Sequence, residues 1–512
     1  MKKIIILSLF IGIFNDMHSQ MGLLQWQRPT GGTGYDYARE TAITPDGGII
    51  TTGYTESADG DVAINRGNGD CWITRTDNSG NLQWEHTYGG SGFDYGYSVT
   101  NTTDGGYIFA GYTESADGDV SSNHGAGDAW VVKIDNAGAI QWEKTFGGSA
   151  TENVQCIRAT SDGGYIFCGY TESNNGDVSG YLGAGDCWIV KIDGAGLIQW
   201  QKCMGGTAYD YAQDIKQTSD GGFVVAGGTN SSDGNVSEQN GNGDCWLVKL
   251  DVSGNISWEK TFGGTDYDFA QAVEETTDGG FVLAGYTQSN DIDITSQHGN
   301  GDCWVIKCNS AGSMEWQKAL GSTANDYAYG IKEVSGCYAM VGYASANDGD
   351  VTGNHGDYDC WLAILDENGA LQAEQSYGGT GEDIGYSIRA GANGSCLIAG
   401  YTGSADGNVA GNHGGGDCWL IRVNMITNGI NENNPVGDVA ILPSVGNGNF
   451  QLSGVKESST LRVFDASGKL VLKKEVDAGT GKLDMTNCAR GCYFYSLTAN
   501  GVQSDAGKLV VQ

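Results

Sequence analysis

The strongest constraint on this chain is a 58-residue period that begins in mid-unit. The tetrapeptide Gly-Asp-Cys-Trp, or a near copy, places Trp72, Trp130, Trp188, Trp246, Trp304, Trp361 and Trp419. A second tryptophan recurs as Trp26, Trp84, Trp142, Trp200, Trp258 and Trp316, with Ala373 in the next place. The first series ends at Trp419, and the second starts earlier, at Trp26. The last unit therefore lacks its final strand, and the N-terminal region carries a spare one. A ring closed by its own two ends needs that offset.

The unit over residues 93–148 reads as four strands, at 94–101, 107–113, 128–135 and 139–146. Thr103, Asp104, Gly105 and Gly106 form its first hairpin, with glycine free to take positive φ. Alternation along residues 128–135 puts Trp130, Val132 and Ile134 on one face. Four short strands per period of about 40–60 residues is the pattern of a propeller blade. Seven units occupy residues 30–424. Residues 23–28 match a fourth strand and are expected to pair beside residues 418–423. The sixth unit is one residue shorter near Ser335 and Gly336, which accounts for a single 57-residue spacing. The expected fold class is all-β: a seven-bladed β-propeller closed by the N-terminal strand, followed by a small β-sandwich.

The expected division is a signal peptide at 1–19, the propeller at 20–424, a polar linker at 425–439 and a separate strand-rich domain at 440–512. Lys2 and Lys3 precede an apolar run at 4–14 that is too short to span a bilayer. Cleavage before Gln20 gives a soluble, exported chain with no transmembrane segment. The 84 glycines against 4 prolines point to tight turns between short strands and not to disorder. A formal net charge of -35 repels a phosphate backbone, so nucleic acid is not an expected partner.

Six of the 14 cysteines sit at the repeat position: Cys71, Cys187, Cys245, Cys303, Cys360 and Cys418, with Ala129 in the remaining unit. Third strands lie about 17 Å from a seven-fold axis, so neighbours are about 15 Å apart. That exceeds the roughly 4.4–6.8 Å Cα range of a disulfide. These thiols are expected to be buried and to pack between blades. Cys168 and Cys187, on adjacent strands, could pair, and Cys488 and Cys492 are either a local disulfide or two free thiols.

Two resemblances are specific. The blades resemble a bacterial β-propeller repeat family, through Trp84 to Gly90, Asp104 to Thr113 and Gly127 to Asp135 and their copies over about 400 residues. The tail is similar to the type A C-terminal sorting domain of the type IX secretion system of Bacteroidota. The matching residues are Asn447, Gly448, Asn449 and Phe450; the segment at 461–470; Gly491, Cys492, Tyr493 and Phe494; and the closing segment at 507–511. Pro443, Ser444 and Val445 depart from that family's usual Pro-Asn-Pro. The resemblance implies the type IX secretion machinery as a partner, export across the outer membrane, and then removal of the tail with release or surface attachment.

Candidate chemistry lies in two sets of carboxylates. The first strand of each blade opens with Asp36, Asp94, Glu152, Asp210, Asp268, Asp326 or Asp383. First strands line a propeller's channel, so this ring could hold a cation or a polar ligand on the axis. The other reading is that each carboxylate accepts amide hydrogen bonds from a neighbouring connector. That reading is preferred, because a feature shared by every blade usually serves the blade. The second set lies in the long loop between the second and third strands: Asp59, Asp61 and Asp70; Asp117, Asp119 and Asp128; Asp348, Asp350 and Asp359. Carboxylates around a glycine turn suit calcium, although Asp also makes turns by bonding its own backbone. His124, His298, His355 and His413 share one loop position and read as solvated side chains. Residues 160–167 resemble the Asp-box hairpin of sialidases, but arginines are few and none recurs in every blade. The leading expectation is a secreted, non-enzymatic propeller that binds an unidentified glycan or protein. The rival is a hydrolase or lyase acting on polysaccharide through a carboxylate pair from the axial ring.

Overall fold

The computed structural model describes residues 23–425 and most of 440–511. The omitted residues in the latter stretch are 443–444, 447–448, 456–457, 466–469, 487, 489–490 and 500–501. The expected signal peptide and nearly all of the expected linker lie outside the described residues. The chain divides into two compact units, at 1–426 and 427–512.

The first unit is seven four-stranded antiparallel sheets. Blade 2 is representative, with strands Asp94–Asn101, Tyr107–Thr113, Asp128–Ile134 and Ile140–Phe146. Blade 7 takes its inner three strands from Asp383–Ala390, Ser395–Thr402 and Asp417–Asn424, and its outer strand from Leu23–Thr30. That outer strand runs antiparallel to its partner, with Leu23 opposite Asn424 and Thr30 opposite Cys418. Closure leaves no blade short of a strand, so no inner edge is open to pair with another chain.

The third-strand tryptophans explain why closure is specific. All seven are 2% exposed or less. Each still carries an indole N–H that must be satisfied in a dry core. Trp72 donates to Glu85, Trp130 to Glu143, Trp188 to Gln201 and Trp246 to Glu259, each on the fourth strand of its own blade. Trp304 and Trp361 do the same to Gln317 and Glu374. Trp419 donates to Gln27, 392 residues away, at 2.9 Å. The N-terminal strand thus supplies the same acceptor that every other blade supplies from within. Single bridges between consecutive blades also run round the ring, ending in Tyr35 against Gly416.

The shorter sixth blade turns at Ser335 and Gly336, both at positive φ, in a two-residue hairpin between Tyr327–Val334 and Cys337–Ala344. Among the described residues the repeat-position cysteines are free and buried. Cys168 faces Ile189 in the register, and Cys187 faces Tyr170, so those two thiols are offset and unpaired. Cys488 is also free, and the side chain of Cys492 lies outside the described set. No helix among the described residues is long and apolar enough to cross a membrane.

The second unit is a β-sandwich. A three-stranded and a five-stranded sheet share a core that includes Phe450, Leu452, Leu461, Val463, Leu483 and Leu497.

Candidate functional site

The seven opening carboxylates of the first strands are at most 1% exposed. Asp94 accepts from Gly90 N–H at 2.8 Å, from the Ser115 hydroxyl at 2.8 Å and from the Thr113 hydroxyl. Asp36 has the same three partners in Gly32, Ser57 and Thr55, and Asp210 has them in Gly206, Ser231 and Thr229. Asp268 follows suit with Gly264, Ser289 and Thr287. Glu152 accepts from Gly148 and Thr171, and Asp383 from Gly379 and Ser404. Ala344 replaces the threonine in blade 6, and Asp326 takes Ser322 and the Ser345 N–H instead. Each carboxylate is therefore a latch between the connector entering its blade and the loop leaving its second strand. The carboxylates are closed to solvent, and both oxygens of each are bonded within the fold except in Asp383, whose Oδ1 has no partner among the described residues.

The loop carboxylates hold the same connectors from outside. Asp59 accepts from Thr33 N–H and hydroxyl, both at 2.8 Å, and Asp348 does the same with Thr323. Asp117 accepts from Ser91 N–H at 2.7 Å. Asp61, Asp119 and Asp350 accept long bonds of 3.3 Å from Gly31, Gly89 and Gly321, and Asp119 also pairs with Arg66. Asp70, Asp128 and Asp359 open the third strands and are fully buried. One oxygen of each accepts a backbone N–H, from Arg66, His124 and His355 respectively. No group of three or more metal-ligating side chains converges among the described residues. The loop histidines are more engaged than their exposed setting suggested: His124, His298, His355 and His413 each set Nδ1 against the third-strand aspartate of their own blade.

The second oxygen of every third-strand aspartate has no hydrogen-bond partner among the described residues: Asp70, Asp128, Asp186, Asp244, Asp302, Asp359 and Asp417 all share this. Burial raises the Asp186 carboxyl to about 6, and the charge of Asp210 adds to the effect. Asp70 and Asp244 also rise to about 6, first through burial.

The Asp-box-like hairpins are structural as well. Asp104, Asp162, Asp220 and Asp278 reach back to the buried Lys133, Lys191, Lys249 and Lys307.

A different set of residues faces the axis. Every first strand carries a β-bulge at the fourth residue from its carboxylate, and the register skips that residue in all seven blades. The skipped residues are Arg39, Tyr97, Gln155, Gln213, Gln271, Tyr329 and Tyr386. A bulge re-aims one side chain out of the strand's alternation. All seven line one axial cavity of about 410 Å³. The ring is two-sided: Gln155, Gln213 and Gln271 come from three consecutive blades, and aromatic residues with Arg39 come from the other four. Arg39 lies over the Tyr329 ring at 5.4 Å and the Tyr386 ring at 4.8 Å. Tyr329 and Tyr386 meet edge to face at 4.8 Å, and Tyr95 and Tyr97 stack at 5.8 Å. Burial pushes the Tyr97 hydroxyl up to about 12, so it remains a neutral donor.

A layer of ion pairs lies beside this ring. Arg158 bridges Glu40 at 2.9 Å and Asp214 at 3.1 Å, and Lys216 holds Asp214 at 2.8 Å. Arg389 also pairs with Glu40, and Lys332 with Glu274. Burial opposes ionisation of Asp214 and Glu40, but the cations outweigh it and hold both carboxyls below their ordinary range. Five cations and four carboxylates line the cavity, within a chain of net charge -35.

Agreement between aligned blades marks the latches and passes over the bulge ring. A signal was there: from position four onward the aligned first strands stop agreeing, with Arg39, Tyr97, Gln155, Gln213, Gln271, Tyr329 and Tyr386 at that place.

Sheet order, closure and the axial cavity define a seven-bladed propeller followed by a β-sandwich. Residues 441–512 match the secretion system C-terminal sorting domain, so the sandwich is a sorting domain of the type IX system and marks the chain for export to the cell surface or beyond. The chain is 24% identical over 385 residues to the regulatory protein FlaEY of Caulobacter vibrioides, a match that covers 65% of this chain and 39% of that relative. Among solved structures it is similar to PorZ, described as an essential surface component of the type-IX secretion system of Porphyromonas gingivalis. That match has a TM-score of 0.42 and 10% identity, and covers 94% of this chain and 60% of that one. It is also similar to Sqt1 from Chaetomium thermophilum, with a TM-score of 0.41 and 12% identity over 78% of this chain and all of that one. Neither similarity carries a function to this chain.

Proposed function

We propose that the propeller is a secreted or surface-held binding module that takes its ligand in the axial cavity. The observation that supports this is the division of labour among positions. Residues that hold blades together repeat from blade to blade, whereas the seven bulge residues differ and share one cavity. A binding site needs symmetry broken at chosen places, and the bulge ring is where this propeller breaks it. Glu40 and Asp214 are tied into ion pairs and held ionised, which suits anchoring and not proton donation to a leaving group. The test is a glycan and protein array probed with the full chain and with the triple variant Gln155→Ala, Gln213→Ala, Gln271→Ala. Loss of the wild-type signals in a variant that melts normally is the expected result. Signals that survive in the variant would place binding elsewhere, and turnover of an arrayed polysaccharide would favour the hydrolase reading.

A further inference from the structure

Of the nine charged side chains on the wall of the axial cavity, Arg39 alone has neither an ion pair nor a hydrogen bond among the described residues. Glu40, Arg158, Asp214, Lys216, Glu274, Lys332 and Arg389 are joined in ion pairs, and Glu275 accepts from Ser219. Among the described residues Arg39 has no carboxylate partner; its contacts are the faces of Tyr329 and Tyr386. A half-buried guanidinium stacked on two rings has lost water and gained no counter-charge. Its edge offers parallel N–H donors in the geometry that fits a carboxylate.

The opposite wall is made of amides. Gln155, Gln213 and Gln271 each offer a donor and an acceptor. Gln155 donates to Asn153 at 3.1 Å, and Gln271 donates to Tyr327 at 2.8 Å, which leaves both amide oxygens free to accept. Amides opposite tyrosine faces suit a molecule with hydroxyls on its edges and C–H groups on its faces. A volume of about 410 Å³ suits a small ligand. Glu40 and Asp214 in the adjoining layer disfavour a dianion, and the excess of one positive charge favours a monoanion.

We propose that the cavity binds a carboxylate-bearing sugar, with its carboxylate on Arg39 and its hydroxyls on Gln155, Gln213 and Gln271. This rests on the reading of the axial cavity as the ligand site. Calorimetric titration of the full chain with D-galacturonate, D-glucuronate and N-acetylneuraminate, against D-galactose and inorganic phosphate, tests it. At least one sugar acid binds, D-galactose binds at least about tenfold more weakly, and Arg39→Gln removes that advantage, since a charge-assisted bond contributes about 1.5–3 kcal/mol. Arg39→Lys keeps the charge but loses the paired donors; it gives an intermediate loss and serves if Arg39→Gln fails to fold. Equal binding of D-galactose and the acids, or tighter binding of phosphate, would overturn the proposal. If no acid binds, but an arrayed glycan binds and is lost in the triple glutamine variant, this proposal falls and the axial binding site stands. If no ligand responds to the glutamine variant, both fall.

Discussion

The latch carboxylates and the bulge residues sit three positions apart in the same seven blades, yet they obey opposite rules. The latches are nearly uniform, buried and held by hydrogen bonds from the connectors and from the hydroxyls at the end of the second strands. The bulge residues are half-buried and chemically mixed, and the ladder leaves each of them unpaired. One geometric event separates the two: the bulge breaks the strand's alternation, turns one residue inward and shifts the register by one residue beyond it. A repeat protein can thus hold its framework constant and vary the wall of its cavity.

The largest way to break this comparison is to open the ring. Deleting residues 20–30 removes the eight-residue outer strand of blade 7 and the acceptor for Trp419. We expect loss of the cooperative melt and aggregation through the exposed edge, measured by calorimetry and light scattering. Next is a single latch. Asp94→Ala strands the Gly90 N–H and the Thr113 and Ser115 hydroxyls in a dry site, and we expect a cost of about 2–4 kcal/mol in urea unfolding. Gln213→Ala, at the axis, should cost less than about 0.5 kcal/mol by the same measurement. Equal losses would erase the distinction.

A smaller, signed effect comes from the orphaned oxygens. The Asp186 carboxyl is raised to about 6 in the folded chain, above its ordinary value. The folded state therefore binds the extra proton across that interval, and stability falls as pH rises from about 4 to about 6. Asp186→Asn removes the ionisation. We expect the variant to melt above the wild type at pH 7.5, with the gap closing towards pH 4. A gap independent of pH would show that the carboxylate is neutralised some other way.

Most of the fold was legible because the repeat displays each rule seven times. The offset between Trp26 and Trp419 announced closure, and the missing residue near Ser335 announced the tighter hairpin. Spacing alone could not give register, so Cys168 and Cys187 read as possible partners although the ladder offsets them. The axial site was harder to see for a physical reason. Period-two reasoning assigns faces by counting, and a bulge changes the count in mid-strand. Position four carries arginine, tyrosine or glutamine, so no motif marks it. The ion pair of Glu40 with Arg389 spans 349 residues and joins the first blade to the last, so no local pattern announces it.

The most direct test of the central claim makes the bulge ring uniform. The variant Arg39→Gln, Tyr97→Gln, Tyr329→Gln, Tyr386→Gln gives all seven blades the same axial residue and leaves every latch untouched. Its melting is followed by scanning calorimetry with and without the arrayed glycan that raises the wild-type midpoint. We expect a cooperative melt close to wild type and no shift on adding the glycan. A wild-type shift in the uniform ring, or a ring that no longer folds, would contradict it.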